Sequence, residues 1–191
     1  MDKFKKDIKI FSAKPYDVMG MQEVFYNTWL NTYPNKEFNI TLEDLKYRYR
    51  DIFSETTLEK RKKMILEKND TELCLVAKNK DKVVGVCYLE KDDKINQLRA
   101  IYILPEYQRQ GIGNRFWSEM QSFLDMERDI VVDVVVYNKN AIKFYSKLGF
   151  VDTGERFSEE RFKMRNGSLM PEMRMIIKAK SLNANRTHDN S

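Results

Sequence analysis

The sequence predicts an α+β fold: a mixed, mostly antiparallel sheet with a central parallel strand pair, flanked by helices. Three observations carry this expectation. Residues 72–78, 82–90 and 95–104 are rich in Val, Ile, Leu and Tyr with polar turns between them, the pattern of an antiparallel meander. Strand 95–104 then passes through a glycine-bearing turn and a helix into "DIVVDVVVY", residues 129–137. Strand, helix, strand in that order makes parallel neighbours by the crossover rule. Ahead of the meander lie stretches with helical spacing and caps.

Residues 8–13, "IKIFSA", read as an opening strand. Asp17 is placed to cap a helix through about Asn31, with Met21, Val24, Phe25 and Leu30 close to helical spacing. Pro34 pushes Tyr33 out of the helical region and ends it. "TLED", residues 41–44, has the capping-box form and opens a second helix through "LKYRYRDIF". Ser54 and Thr57 offer caps for a third helix, ending near "LEKND", whose charged run reads as a solvated face. A helix from about Gly111 to Glu127 follows the meander. The β-branched run 129–137 suits a strand buried on both faces. "NAIKFYSKL" returns to helical spacing with Ala141, Phe144, Tyr145 and Leu148, and Gly149 stops it. "FVDTGERF" and "LMPEMRMIIK" form a closing strand pair, which also offers a pairing surface for a homodimer.

The chain has 191 residues, enough for one well-buried domain without metal or disulfide support. No linker rich in Pro, Gly or Ser divides it. The expectation is one domain over residues 1–180 and a disordered polar tail over 181–191. Its 34 basic residues nearly balance 29 acidic ones, for a net charge of +5. Such a balance suits an anionic ligand and does not point to nucleic acid, for which no aromatic RNA-binding motif, zinc spacing or arginine-rich arm is present. No apolar run approaches the ~20 residues a bilayer span needs, so no membrane association is expected. The charged start lacks a signal-peptide core, and only Cys74 and Cys87 are present, which together predict a reduced cytoplasmic location. A hairpin centred near Lys80 and Asp81 sets those two cysteines opposite each other, either as small buried strand residues or as a regulated disulfide. The only histidine, His188, lies in the tail, so no metal site is expected.

Chemistry concentrates at "YQRQGIGNRF", residues 107–116. The first amides of a helix lack intrahelical partners, and with the helix dipole they attract phosphate. Gly111 and Gly113 allow close approach to that backbone, while Arg109 and Arg115 add positive potential. Taken alone, the stretch is equally a tight strand-to-helix turn. It is neither a P-loop nor a dinucleotide fingerprint. Pro105 directly after the strand halts its ladder. Tyr145, in the following helix, carries a hydroxyl that is a donor at neutral pH, or is simply part of an amphipathic face.

Here the motifs meet a family. "LRAIYILPEYQRQGIGNRFW" resembles the acetyl-CoA-binding motif of the GCN5-related N-acetyltransferase (GNAT) superfamily, with Gln108, Gly111 and Gly113 at its core positions. "VYNKNAIKFYSKLGF" is similar to the superfamily's second cofactor motif, with Asn138, Ala141, Tyr145, Gly149 and Phe150 in order. The resemblance implies acetyl-CoA as acyl donor and the acyl-CoA N-acyltransferase fold, its parallel pair splayed at the cofactor site. Backbone groups of Ile101, Tyr102 and Ile103 would pair with the pantetheine arm. Amides of Gln108, Arg109, Gln110, Gly111, Ile112, Gly113 and Asn114 would hold the pyrophosphate. Asn138 and Asn140 would orient the cofactor, and Tyr145 would face the thioester sulfur.

The implied reaction is direct transfer to a primary amine of a small molecule, polyamine or peptide, within a ternary complex. The neutral amine attacks the thioester carbonyl, polarised by a backbone N–H of strand 101–103, and Tyr145 protonates the departing thiolate. Many relatives place a carboxylate where this chain has Gln97, so the base stays open among a water chain, Glu23 and Glu90. Two other readings remain: a non-catalytic acyl-CoA-binding module, which does not need Tyr145, and a nucleotide-binding domain of other chemistry. Trp29, Tyr33 and Tyr49 are either a substrate-pocket wall or core or rim residues.

Overall fold

A computed structural model describes residues 7–67 and 69–179. The tail assigned to 181–191, with His188, lies outside the described residues. The sheet has seven strands: β1 (Ile8–Ser12), β2 (Glu72–Asn79), β3 (Lys82–Lys91), β4 (Ile95–Ile103), β5 (Asp129–Val135), β6 (Val151–Ser158) and β7 (Pro171–Ile177). Its order is β1-β2-β3-β4-β5-β7-β6. The helices are α1 (Val18–Thr32), α2 (Leu42–Arg48), α3 (Glu55–Leu66), α4 (Ile112–Met120) and α5 (Lys139–Lys147). Among the described residues no helix is long and apolar enough to cross a membrane.

The chain forms two compact units. The first comprises Met1–Asn31, Tyr49–Leu89 and Ala100–Phe123. In it β1 pairs antiparallel with β2, from Ile8 opposite Asn79 to Ser12 opposite Leu75. Val84 and Val86 of β3 are fully buried, as are Phe116 and Met120 of α4. Gly85 is small for a reason: an added Cβ would lie 3.2 Å from both the Phe116 ring and the Tyr102 carbonyl oxygen. The absent side chain is what brings α4 onto the sheet here. Cys87 is buried against Met120, sulfur to sulfur at 3.1 Å, and burial first, then Cys74, raises its thiol pKa well above the ordinary value. Neither cysteine is in a disulfide.

The second unit comprises Thr32–Arg48, Glu90–Arg99 and Leu124–Ser191. The expected parallel pair is here, with Ile95 to Leu98 of β4 opposite Asp129 to Val132 of β5. That ladder stops at Leu98 and Val132, while β4 runs on to Ile103 and β5 to Val135. β5 also pairs antiparallel with β7 along Ile130 to Val135, and β7 with β6.

Several boundaries fall short of the sequence reading, each for a local reason. The helix expected to reach Glu127 ends at Met120. Downstream, buried Asn96 takes over: its Nδ2 donates to the carbonyls of Asp125 (2.8 Å) and Arg128 (3.2 Å), and its Oδ1 accepts the Asp125 N–H (3.0 Å). A side chain from another strand thus satisfies backbone that a longer helix would have satisfied itself. The second helix stops at Arg48 rather than near Phe53, and the Ile52 carbonyl receives a hydrogen bond from Gln22 instead. The capping box opening it is present, with Thr41 Oγ1 accepting the Asp44 N–H at 3.0 Å. Ser54 caps α3 by accepting the Thr57 N–H. Asp17 is not a helix N-cap. It ends a 3-10 turn over Pro15–Asp17, accepts the Lys14 N–H and pairs with Lys78 at 2.5 Å.

Candidate functional site

The glycine turn lies in the first unit. After β4, Pro105 opens a 3-10 turn over Pro105–Tyr107, and the buried Tyr107 hydroxyl accepts from Asn79 at 3.2 Å. Gln108 donates from its side chain back to the Ile103 carbonyl at 3.0 Å, and Gln110 to the Glu106 carbonyl at 3.0 Å. These two bonds fold the loop onto its own backbone, and the Gln108 N–H, expected to hold a ligand, donates to the Pro105 carbonyl at 3.2 Å instead. Arg109 (φ +56°) and Gly111 (φ +79°) both take the left-handed conformation. For Gly111 this explains the residue type, since a side chain there is strained even though an added Cβ would meet nothing within 4 Å. Gly111 is the N-cap of α4, and no side chain caps that helix start. The amides of Ile112, Gly113 and Asn114 form its first turn, where a phosphate would be received. Arg115 does not add a loose charge: its guanidinium donates to the Ile8 carbonyl of β1. Arg109 is exposed.

The second motif lies in the other unit. β5 ends at Val135, two residues earlier than its composition suggests. Tyr137 has turned aside, its hydroxyl donating to the Tyr33 carbonyl at 2.9 Å and its ring stacked on Phe38 at 5.2 Å. Burial pushes its phenol up to about 12. Asn138 is the N-cap of α5, and its Oδ1 accepts the Ala141 N–H at 3.1 Å. Asn140 is exposed in the first turn. Tyr145, 6% exposed, packs edge-on against Phe150 at 5.5 Å and Phe144 at 5.3 Å.

The residues left open as a base divide sharply. Glu23 is exposed on α1. Glu90 is engaged by Arg99, Nε to Oε2 at 2.7 Å. Gln97 is buried, and its Nε2 reaches the Asp133 carboxylate at 3.4 Å.

Sequence reasoning missed one carboxylate entirely. Glu172, second residue of β7, is 6% exposed, and its Oε2 is buried with no hydrogen-bond partner among the described residues. It lies opposite Val135 of β5 and Phe157 of β6. Desolvation first, then Glu159 and Asp133, push its pKa up to about 7 against the opposing pull of Arg161 and Arg174. No local signal in "LMPEMRMIIK" marks it, because its burial comes from strand pairing remote in sequence. Among the described residues no cluster of His, Cys, Asp or Glu is arranged to hold a metal ion.

Of the N-terminal aromatics, Trp29 and Tyr33 are buried, while Tyr49 is half-buried. Trp29 and Tyr33 are 5% and 6% exposed, and Trp29 meets Tyr49 edge-on at 5.2 Å. The first unit instead holds a mostly apolar recess lined by Met21 and Phe25 of α1, Met64 and Ile65 of α3, and Val86 and Tyr88 of β3.

Comparison with known proteins places this geometry in a family. A family model described as an acetyltransferase (GNAT) domain matches residues 41–175. The probable N-acetyltransferase san of Drosophila melanogaster is 35% identical over 96 residues, 45% of this chain and 52% of that protein. The matched region therefore spans about half the length of that curated relative. Among solved structures, PaiA N-acetyltransferase from Thermoplasma acidophilum, in complex with coenzyme A, superposes with a TM-score of 0.61 at 21% identity, covering 87% of this chain and 98% of that one. YncA, a putative acetyltransferase from Salmonella typhimurium with acetyl-CoA, gives a TM-score of 0.61 at 17% identity, covering 90% and 94%.

Proposed function

Since the chain belongs to the GNAT acetyltransferase family, we propose that it is an N-acetyltransferase that moves acetyl from acetyl-CoA to a primary amine in a ternary complex. The observation that carries this reading is the glycine turn, with its left-handed Gly111 and a helix start that no side chain caps. Such a turn fits a pyrophosphate. Amides from Arg109 to Asn114 would hold it, and backbone groups of Ile101, Tyr102 and Ile103 would take the pantetheine arm. When bound, acetyl-CoA supplies an activated thioester, so no acyl-enzyme is needed and neither cysteine is asked to be a nucleophile.

Tyr145 is the group we assign to protonate the leaving sulfur. Its ring is fixed by Phe144 and Phe150, which holds the hydroxyl in one direction, as a positioned acid requires. Asn138 acts by capping α5 and so sets the orientation of the helix that carries Tyr145. We place the activity in the cytoplasm, on the low cysteine content of the sequence.

Coenzyme A release is the direct test, measured with polyamines, aminoglycosides, amino acids and peptide N-termini as acceptors. Tyr145→Phe should reduce turnover about 10²-fold or more and leave acetyl-CoA affinity within about twofold, because it removes a proton and keeps the ring packing. Turnover unchanged by that substitution would remove Tyr145 from the mechanism. Acetyl-CoA binding without turnover on any amine would favour a non-catalytic binding module. Equal stabilisation by ATP and coenzyme A would favour a nucleotide site.

A further inference from the structure

The second unit gathers six charged side chains around the carboxyl end of β5, and their pairing leaves one carboxylate over. Asp133 and Val135 of β5 lie opposite Arg174 and Glu172 of β7. Residues two apart on a strand share a face, so all four stand on one face of the sheet. Arg174 is committed there: its Nε donates to Asp133 Oδ1 at 2.9 Å, Nη2 to Asp133 Oδ2 at 3.2 Å, and Nη1 to Glu155 at 3.2 Å. Arg161 is committed to Glu159, Nη2 to Oε1 at 3.0 Å. Glu172 sits between these pairs with a buried oxygen that nothing in the described protein satisfies. A purely structural glutamate at this depth would ordinarily have a donor, because a buried acceptor left unpaired forfeits its hydration with nothing in return.

Its place along β5 gives the orphan oxygen a meaning. The β4·β5 ladder ends at Val132, whereas Glu172 pairs with Val135, beyond that end. Ligands of sheets with parallel pairs enter at the carboxyl ends of those strands. An ammonium group has three donors and one positive charge, which matches an unsatisfied carboxylate oxygen flanked by two further acids.

We propose that Glu172 receives the acceptor's ammonium group and is the base that takes its proton. This rests on the N-acetyltransferase reading and deepens it, naming the acceptor as a cationic primary amine. One N–H bond of the ammonium breaks, an O–H bond forms on Glu172, and the electron pair stays on nitrogen as the nucleophile. As the C–N bond forms and the C–S bond breaks, the sulfur leaves with a proton from Tyr145. Tyr145 recovers one from the acetylated nitrogen, and Glu172 releases its own to solvent. A base titrating about 7 is half-ionised at neutral pH, close to the balance that proton abstraction favours. The groups facing it are Asp133 and Arg174 from the strands, and Glu159 and Arg161 from the segment after β6. The two acids raise the titration and the two arginines oppose it.

The test pairs Glu172→Gln with Glu172→Asp and reads three quantities: the carboxyl ¹³C titration, acetyl-CoA affinity, and the pH profile of spermidine and alanyl-peptide acetylation. In the wild-type protein one carboxyl should titrate near 7 and be missing in Glu172→Gln, and acetylation should rise with pH through the same midpoint. Glu172→Gln should lose about 10²-fold or more in turnover and lose that rising limb, with acetyl-CoA affinity within about twofold. Glu172→Asp should restore the limb in part, which a merely structural role would not do. If Glu172→Gln fails to fold, the Asp variant and the wild-type titration still decide. Turnover with an unchanged pH limb in Glu172→Gln, or a wild-type protein in which no carboxyl titrates near 7, overturns the assignment of Glu172 alone. A wild-type protein that acetylates neither amine overturns the acceptor class with it, while acetyl-CoA binding in the same samples reports separately on the carrier site.

Discussion

The glycine turn and the carboxyl end of β5 solve opposite problems. Residues 108–114 meet an anion with backbone: two left-handed residues, folded-back glutamines and a helix start without a side-chain cap. Little of that region is buried, and its chemistry is written in seven consecutive positions. Around Glu172 the chemistry is all side chain. Asp133, Glu159, Arg161, Glu172 and Arg174 come from separate strands and a connecting segment, and pairing leaves one buried oxygen unmatched. The first region is built by conformation and the second by burial. They should therefore fail differently when altered.

The largest expected effect on stability comes from the buried amide that supports the second region. Asn96→Ala should lower unfolding free energy by about 2–3 kcal/mol, because it strips partners from the Asp125 and Arg128 backbone just ahead of β5. Chemical denaturation measures this, and a loss under about 0.5 kcal/mol would show that those groups find water. A smaller effect separates the two regions by pH. The folded pKa of Glu172 is raised, so its contribution to stability is fully present below the ordinary glutamate value and is lost as pH rises through about 7. Allowing for residual hydration, wild-type stability should fall by about 1–2 kcal/mol between pH 5 and 8 relative to Glu172→Gln. A difference that does not vary with pH would mean the carboxyl titrates normally. Asp152 provides the opposite window: Arg156, then the Gly154 N–H, hold it at about 2, so its contribution disappears only as pH falls through the acid range. Smallest is the backbone term at the glycine turn. Gly111→Ala should cost about 1 kcal/mol of stability from the left-handed φ alone, since its Cβ meets nothing.

The contrast also explains what the sequence could reveal. Elements with a local code were legible: the Thr41–Asp44 box and the Ser54 cap both read from a few neighbouring residues. The parallel pair was legible too, because chain order and handedness suffice to place it. Features decided by distant partners were not. Asn96 ends the turn after α4 from 29 residues away, and Arg115 reaches the Ile8 carbonyl across 107. Glu172 looks like an ordinary strand-start acid until β5 and β6 close over both its sides.

The separation of the two jobs is most directly tested by measuring acetyl-CoA affinity and the pH profile of amine acetylation together, in Gly111→Ala and Glu172→Gln. Gly111→Ala should weaken acetyl-CoA binding about tenfold, the effect of roughly 1.4 kcal/mol at the backbone grip, while the rising limb near pH 7 stays in place. Glu172→Gln should do the reverse, keeping the carrier's affinity and losing the limb. If both substitutions weaken acetyl-CoA alike and neither moves the pH profile, then the carrier grip and the acceptor base are not divided between these two regions.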